Sequence, residues 1–269
     1  GKIILRVNRA TQGALELDAK SLPPIIGFTI SDNGCGFDYA NFKSFETLDS
    51  DHKISKGCRG VGRLMWLKVF DLIEVESHFI DIEGNLKKRV FLFDDKLGVN
   101  GEKILEAATS QSGTIIKLIG FDDGFRKQVH TKGESIANQL LEHVLWYFVR
   151  NEDAPKILVE DSGEIIDLDA LYDQHMHASA YHETIAIRDY SFDLTHIKFR
   201  ASVNKKHQMA LCAANRLVKE ESIQGKLPGL YGKISDFDGE FTYTCYVSSD
   251  TKVGLTRHWF YRAASLFCT

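Results

Sequence analysis

Apolar and polar positions follow two different periods along the chain, and together they predict an α+β fold. Short apolar runs rich in β-branched and aromatic residues predict strands at 3–7, 25–30, 73–79, 88–93, 113–119, 157–160, 195–203, 208–213, 230–235 and 241–248. Apolar residues at helical spacing predict a helix that follows Gly62, runs to Phe70 and is buried on one side, with Met65 in the core. A capping box at Thr131 predicts a longer helix that reaches about Arg150. The turn residues at 83–85 predict a hairpin.

A domain boundary is predicted near residue 151. A chain of 269 residues corresponds to about two domains at ~150 residues each. The segment from Asn151 to Pro155 combines a polar cluster with a proline, which ends the preceding helix before the next strand. We therefore expect one domain over residues 1–150 and a second over residues 151–269.

Composition limits the class of protein. The hydrophobic share of 43% and charged share of 26% are those of a folded globular chain. The apolar runs are far shorter than the ~18 residues of a membrane helix, and the opening strand leaves no signal peptide. Five cysteines, none spaced as C-x-x-C, argue against a disulfide framework and a zinc ribbon. A cytoplasmic protein is expected, and a net charge of -4 neither indicates nor excludes nucleic-acid binding.

The first candidate site follows the strand at 25–30, where the chain reads Asp-Asn-Gly-Cys-Gly-Phe from Asp32 to Phe37. A carboxylate at a strand end can accept a hydrogen bond from an exocyclic amine, and Gly34 and Gly36 let the backbone turn against a flat ring. Any Asp-rich turn has the same letters, so by itself the motif more often marks a plain strand-exit loop.

The second candidate site is the glycine-rich run from Lys56 to Arg63, directly before the predicted helix. Small residues at a helix start leave backbone N–H groups and the positive end of the helix dipole open to phosphate oxygens. The spacing G-x-x-G-x-G without a preceding strand excludes the dinucleotide fingerprint, and the missing Gly-Lys-Ser/Thr excludes a Walker loop. A third candidate is Thr114, whose hydroxyl could assist Asp32 at a purine edge if their strands are neighbours.

In this order the motifs resemble the successive boxes of the GHKL ATPases, the class of gyrase, the large heat-shock chaperone, histidine kinases and MutL. The resemblance rests on residues 32–37, 57–63 and 113–114, and covers roughly residues 1–150. The run at 59–63 followed by 66–70 is similar to bacterial stand-alone ATP-binding proteins of that superfamily. The resemblance implies a two-layer α/β sandwich of the Bergerat type.

The resemblance also implies an ATP pocket. Asp32 would bind the adenine amine, Gly36 and Thr114 would help through backbone and a bridging water, and residues 57–62 would hold the phosphates by backbone N–H groups. Residues 38–56 would form an ATP lid whose closure drives homodimerisation, so that ATP acts as a switch. The implied nucleotide-binding residues are Asp32, Gly34, Gly36, Phe37, Lys56, Gly57, Arg59, Gly60, Val61, Gly62, Arg63, Thr114, Lys252 and Arg257.

The second domain resembles a transducer domain more faintly. Residues 208–218 are similar to the Asn-x-Arg-x-Val strand and turn of MutL and MORC proteins, without the usual glycine between Asn215 and Arg216. In related proteins this domain supplies a basic residue to the γ-phosphate, for which Lys252 and Arg257 are the candidates. The alternative for both is an ordinary solvated loop residue.

The first box of the family, Glu-x-x-x-Asn on a helix that supplies the general base and the Mg²⁺ ligand, is missing before the first predicted strand. We therefore expect an N-terminally truncated sequence that binds ATP with Mg²⁺, with hydrolysis in the intact protein and its catalytic residues unassigned. The alternative is a non-catalytic nucleotide-binding or protein-interaction module of the same fold. A histidine kinase is disfavoured, because that architecture places this domain last and over a hundred residues follow Arg150 here.

Overall fold

The computed structural model describes residues 1–11, 22–47, 62–127, 132–149, 154–175, 181–187, 190–199, 206–213 and 216–249. The chain divides into two compact units, one of Gly1–Leu140 with Asp153–Asp169 and one of Leu141–Glu152 with Ala170–Thr269. In the described ranges, none of the helices combines the length and the apolar character that a membrane crossing needs.

Unit 1 is built on an eight-stranded sheet. Its strands are β1 (Lys2–Arg9), β2 (Ile25–Asp32), β3 (Phe70–Ile80), β4 (Leu86–Asp94), β5 (Gly98–Glu106), β6 (Gly113–Phe121), β7 (Lys156–Asp161) and β8 (Glu164–Asp167). They lie in the order β5-β4-β3-β6-β2-β1-β7-β8, and only β1 and β7 pair in parallel. The predicted hairpin around residues 83–85 is confirmed as β3 and β4.

Helices α1 (Tyr39–Glu46), α2 (Leu64–Val69), α3 (Asp123–Arg126) and α4 (Gly133–Val149) accompany this sheet in the chain. The Asp38 side chain starts α1 as its N-cap, because it accepts a hydrogen bond from the Asn41 backbone N–H at 2.7 Å. Buried Phe42 and Phe45 of α1 face β4, with the Phe42 and Phe45 ring centroids 5.2 Å from those of Phe91 and Phe93 respectively. Aromatic packing therefore holds α1 on one face of the sheet.

Unit 2 contains a second sheet, in the order β12-β11-β14-β10-β9 with β13 paired to β14. Its elements are β9 (Tyr181–Ile187), β10 (Tyr190–Phe199), β11 (Gln208–Ala213), β12 (Arg216–Ser222), β13 (Ile234–Asp236) and β14 (Gly239–Ser248), and α5 (Leu168–His175) precedes them. A buried cluster on this sheet includes Phe192, Leu194, Leu211 and Val247. The part of α4 from Leu141 onward belongs to unit 2, and there the Trp146 ring stacks on Tyr246 with the ring centroids 5.3 Å apart.

Several elements differ from the sequence predictions. The helix predicted to run to Phe70 ends at Val69, and Phe70 is the first residue of β3. Met65 is 57% exposed, so its predicted core position is wrong. The predicted helix is too long because the apolar run continues from the short helix α2 directly into the strand β3. Apolar residues at helical spacing do not show where such a helix ends and the strand begins. The strand predicted at 230–235 reduces to β13, and the sequence did not predict β5, β8, β9, β12 and α5.

Candidate functional site

Four polar side chains lie in one row across four adjacent strands of unit 1. Backbone pairing aligns Asp32 with Thr114, Thr114 with Ser77, and Ser77 with Arg89. Side chains two residues apart on a strand share a face, and the neighbouring row on this face is apolar: Ile30, Ile116, Val75 and Phe91. The polar row therefore interrupts the apolar face on which α1 packs.

A hydroxyl network occupies the middle of this row. Ser77 is fully buried and Thr114 is 6% exposed. The Ser77 Oγ lies 3.2 Å from the Thr114 Oγ1, 3.3 Å from the Gly113 carbonyl oxygen, and accepts a hydrogen bond from the Phe37 N–H at 2.7 Å. Because a buried hydroxyl is costly unless it is hydrogen-bonded, this network fixes the positions of both side chains.

The turn after β2 needs its glycines. The Asp32 Oδ1 accepts a hydrogen bond from the Gly34 N–H at 2.7 Å, which forms an Asx turn. Gly36 has φ +74°, and a Cβ atom there would lie 2.2 Å from the His78 carbonyl oxygen. A Cβ atom on Gly113 would lie 2.4 Å from the Asp32 carbonyl oxygen. The backbones of three segments therefore approach closely around Asp32.

Arg89 closes the row on the side of α1. Its Nη1 donates hydrogen bonds to the carbonyl oxygens of Phe37 and, at 2.9 Å, of Asp38. The guanidinium carbon lies 4.3 Å from the Phe42 ring centroid, and Nε lies 3.0 Å from a Glu102 carboxylate oxygen. Arg89, which is only 3% exposed, thus holds the segment that leads into α1.

Asp32 and Thr114 line a cavity of about 400 Å³. The other residues that line it are Gly34, Cys35, Gly36, Phe37, Asn41, Ser44, Phe45, Arg63 and Ile116. The cavity is therefore lined by the Asp32 carboxylate, the hydroxyls of Ser44 and Thr114, the Asn41 amide and the Arg63 guanidinium.

Arg63 supplies a buried positive charge to this cavity. It is 7% exposed, its Nη2 donates to the Thr47 carbonyl oxygen at 2.8 Å, and its guanidinium lies 5.0 Å from the Phe45 ring centroid. Burial lowers the pKa of Arg63 from its ordinary value, yet arginine remains charged at neutral pH. The Arg63 guanidinium therefore places a positive charge at this cavity, where it can donate hydrogen bonds to an anionic ligand.

Asn41 presents an unsatisfied acceptor in the same cavity. Its Nδ2 donates to the Gly36 carbonyl oxygen at 3.3 Å. Its Oδ1 is buried and has no hydrogen-bond partner within the described part of the chain. A buried orphan acceptor is costly, so a ligand with a hydrogen-bond donor is favoured beside α1.

The structure brings together those predicted binding residues that it describes near the sheet. Asp32, Gly34, Gly36, Phe37, Arg63 and Thr114 all line the one cavity. Gly62 lies in the turn before α2 and accepts a hydrogen bond from the Met65 N–H at 3.0 Å. The predicted residues Lys56, Gly57, Arg59, Gly60, Val61, Lys252 and Arg257 lie outside the described residues.

Sequence reasoning missed three polar residues of the site. Asn41 lies within the predicted lid, and no motif marks it as a binding residue. Ser77 and Arg89 lie within predicted strands and likewise belong to no motif. A signal for the last two exists: each interrupts an alternating apolar pattern, beside Val75 and Phe91 respectively, at a position that shares the buried face. Within the described ranges, no group of three or more His, Cys, Asp or Glu side chains could hold a metal ion.

Comparisons with known proteins bear on the fold. No protein-family model and no curated protein matches the sequence. The chain is similar to the N-terminal domain of a DNA repair protein, with TM-score 0.54 and 11% identity over 99% of this chain and 86% of that chain. It is also similar, with TM-score 0.49 and 10% identity, to the Aquifex aeolicus MutL ATPase domain complexed with ADP, over 91% of this chain and 83% of that chain.

The ATPase region of Saccharomyces cerevisiae topoisomerase II is a further similar structure, with TM-score 0.48 and 12% identity over 92% of this chain and 66% of that chain. Identities this low inform on the fold alone, and the two similarities with TM-scores below 0.5 carry no argument. The large mixed sheets with few helices agree with the sandwich that the motifs implied. The chain therefore shares the mixed α/β fold of the N-terminal domain of that DNA repair protein.

Proposed function

We propose that this chain binds ATP in the cavity of unit 1 and that ATP acts as a conformational switch. The observation that carries the proposal is the placement of Asp32 in register with Thr114, in a cavity that Arg63 also lines. One carboxylate, one hydroxyl and one buried cation are suited to the base and the phosphates of one nucleotide.

The base would be adenine. An ionised carboxylate only accepts hydrogen bonds, so Asp32 pairs with the exocyclic amine of adenine, while the Thr114 hydroxyl can donate to the ring nitrogen beside it. Guanine presents a carbonyl oxygen in place of that amine, which would face the Asp32 carboxylate and be repelled. The Asn41 Oδ1 offers a further acceptor to the nucleotide.

The phosphates would be held by Arg63 and by the predicted loop that precedes it. Arg63 is the last residue of the predicted run from Lys56 to Arg63, and the other residues of that run stay predictions for the phosphates. Mg²⁺ would enter with the triphosphate, because magnesium is usually bound through phosphate oxygens and few protein ligands. The basic residues Lys252 and Arg257 stay predictions for the γ-phosphate.

The switch would act through α1, which belongs to the predicted lid. Asn41, Ser44 and Phe45 of α1 line the cavity, so a bound nucleotide contacts this helix directly. In this proposal lid closure promotes a homodimer. The transducer-like domain predicted for residues 151–269 follows the nucleotide state, apart from β7 and β8, which pair in the sheet of unit 1. Light scattering with and without a non-hydrolysable ATP analogue tests the dimer: an unchanged molar mass contradicts it.

ATP binding is tested by calorimetry on the wild type, Asp32→Asn and a matched control, Asp122→Asn. Asp122 directly follows β6 and accepts a hydrogen bond from the Gly124 N–H at 2.8 Å, just as Asp32 accepts one from the Gly34 N–H. Unlike Asp32, Asp122 does not line the cavity. Loss of a charged hydrogen bond predicts an affinity for MgATP lowered about 10- to 100-fold in Asp32→Asn only. Equal affinity in the wild type and Asp32→Asn overturns the assignment.

Hydrolysis is the second part of the proposal and is expected in the intact protein. Phosphate release by the full-length protein measures it. ATP-dependent dimerisation without phosphate release would instead support the alternative, a non-catalytic nucleotide-binding or interaction module of the same fold.

We also propose a cytoplasmic location. Cys35 and Cys245 form no disulfide within the described part of the chain, and free thiols persist where the compartment is reducing. Microscopy of the tagged full-length protein tests this: a signal outside the cytoplasm contradicts it.

A further inference from the structure

We propose that Ser77 is a positioning residue for base recognition, whose hydroxyl sets the direction in which Thr114 presents its own hydroxyl to the nucleotide. The inference rests on the proposed ATP binding. Ser77 is fully buried and lies behind the cavity wall, which is formed at this point by Thr114. Ser77 therefore acts on a ligand only through its hydrogen-bond partners, of which Thr114 carries the hydroxyl that lines the cavity.

The hydrogen-bond inventory of Ser77 leaves its proton two destinations. A serine hydroxyl has one proton and two lone pairs, and the Phe37 N–H occupies one lone pair at 2.7 Å. The proton can go to the Gly113 carbonyl oxygen at 3.3 Å or to the Thr114 Oγ1 at 3.2 Å. The direction of this proton decides whether Thr114 presents a hydrogen-bond donor or only acceptor lone pairs to the cavity.

If Ser77 donates to Thr114, the proton of Thr114 is free to point into the cavity. If Ser77 donates to Gly113, Thr114 donates back to Ser77 and presents only lone pairs. A bound adenine would select the first arrangement, because its unprotonated ring nitrogen can accept a hydrogen bond only from a Thr114 hydroxyl whose proton points into the cavity.

The first arrangement matches adenine. Asp32 presents an acceptor and Thr114 a donor, which is the complement of an exocyclic amine beside an unprotonated ring nitrogen. Guanine has the reverse order, a carbonyl oxygen beside a protonated ring nitrogen. Ser77 thus adds to the selection of adenine over guanine without touching either base.

The experiment measures dissociation constants for ATP and GTP by calorimetry on Ser77→Ala, Thr114→Val and the double variant. One neutral hydrogen bond predicts that Ser77→Ala lowers the preference for ATP over GTP about fivefold. In the Thr114→Val background, Ser77→Ala should cause no further change, because its effect passes through Thr114. The matched control is Thr29→Val, which removes a hydroxyl that accepts from Asn8 Nδ2 at 2.9 Å on β2 and does not line the cavity. It should leave the preference unchanged.

A loss of folding is separated from a loss of selectivity by thermal unfolding of each variant. If Ser77→Ala does not fold, Ser77→Cys decides, because it keeps a side chain of similar size with only a weak donor; its preference should also fall. An unchanged preference in the folded variant overturns the role of Ser77 and leaves ATP binding standing. A wild type that binds neither nucleotide overturns both proposals.

Discussion

The buried ion pair between Arg9 and Asp161 gives a quantitative test of what stabilises unit 1. The Arg9 Nε and Nη2 donate to the two carboxylate oxygens of Asp161, each at 2.6 Å, and Nη1 donates to the Pro23 carbonyl oxygen at 2.6 Å. The side chains are 8% and 5% exposed. Asp161→Asn removes the negative charge that this buried guanidinium contacts, which costs about 3–5 kcal/mol of unfolding free energy.

The same pair predicts a pH dependence. The hydrogen bonds from Arg9 hold the pKa of Asp161 below its ordinary value. A carboxylate whose pKa is lowered by folding contributes stability above its unfolded pKa, about 3.9, and loses it as the pH falls through the folded pKa. The difference between wild type and Asp161→Asn should therefore be full at neutral pH and shrink in acid, below about pH 4.

Urea unfolding at several pH values measures this difference. The matched control is Glu160→Gln, one residue earlier on β7, whose partner Arg6 is 61% exposed although the two side chains approach to 2.7 Å. An exposed pair contributes only about 0–1 kcal/mol. The reasoning is refuted if Asp161→Asn costs no more than Glu160→Gln at neutral pH, or if its cost does not decrease in acid.

Two further predictions concern the candidate site. Cys35 is exposed and lines the cavity, so saturating MgATP should slow its alkylation, measured by mass spectrometry of its peptide; an unchanged rate contradicts ATP binding there. Gly36→Ala should lower the free energy of unfolding by at least about 1 kcal/mol more than Gly84→Ala, as thermal unfolding measures. Both glycines have positive φ, but only at Gly36 would a Cβ atom collide with the backbone, 2.2 Å from the His78 carbonyl oxygen. Equal losses would show that backbone strain alone matters.

Parts of the site could be predicted because they depend on local chemistry. Asp32, Gly34 and Gly36 form a turn whose hydrogen bond and positive φ lie within a few residues, and such turns leave a sequence signature. Thr114 could be added only on the condition that its strand neighbours β2, and the pairing of the two residues fulfils that condition. The prediction of their joint role in nucleotide binding still needs the calorimetric test.

Ser77 and Arg89 show why the remainder could not be predicted. Their place beside Thr114 depends on the register of β3 with both β6 and β4, and a shift of one residue would turn each side chain to the other face. Such pairing is long-range and leaves no local pattern. The unpredicted β5 has another cause: it is an exposed edge strand with Gly98 and Gly101 and charged residues, so it lacks the apolar alternation of a half-buried strand.

The polar row connects the part of the cavity that Asp32 and Thr114 line to the start of α1. Ser77 accepts the N–H of Phe37 and Arg89 donates to its carbonyl oxygen, so the row holds both sides of that residue. Thr114 belongs to the same network through Ser77. A ligand that binds Asp32 and Thr114 therefore acts on the groups that hold the segment leading into α1. Because a ligand shifts a conformational equilibrium only through contacts that differ between the states, this network would be the physical link between the cavity and α1 in the proposed ATP-dependent lid.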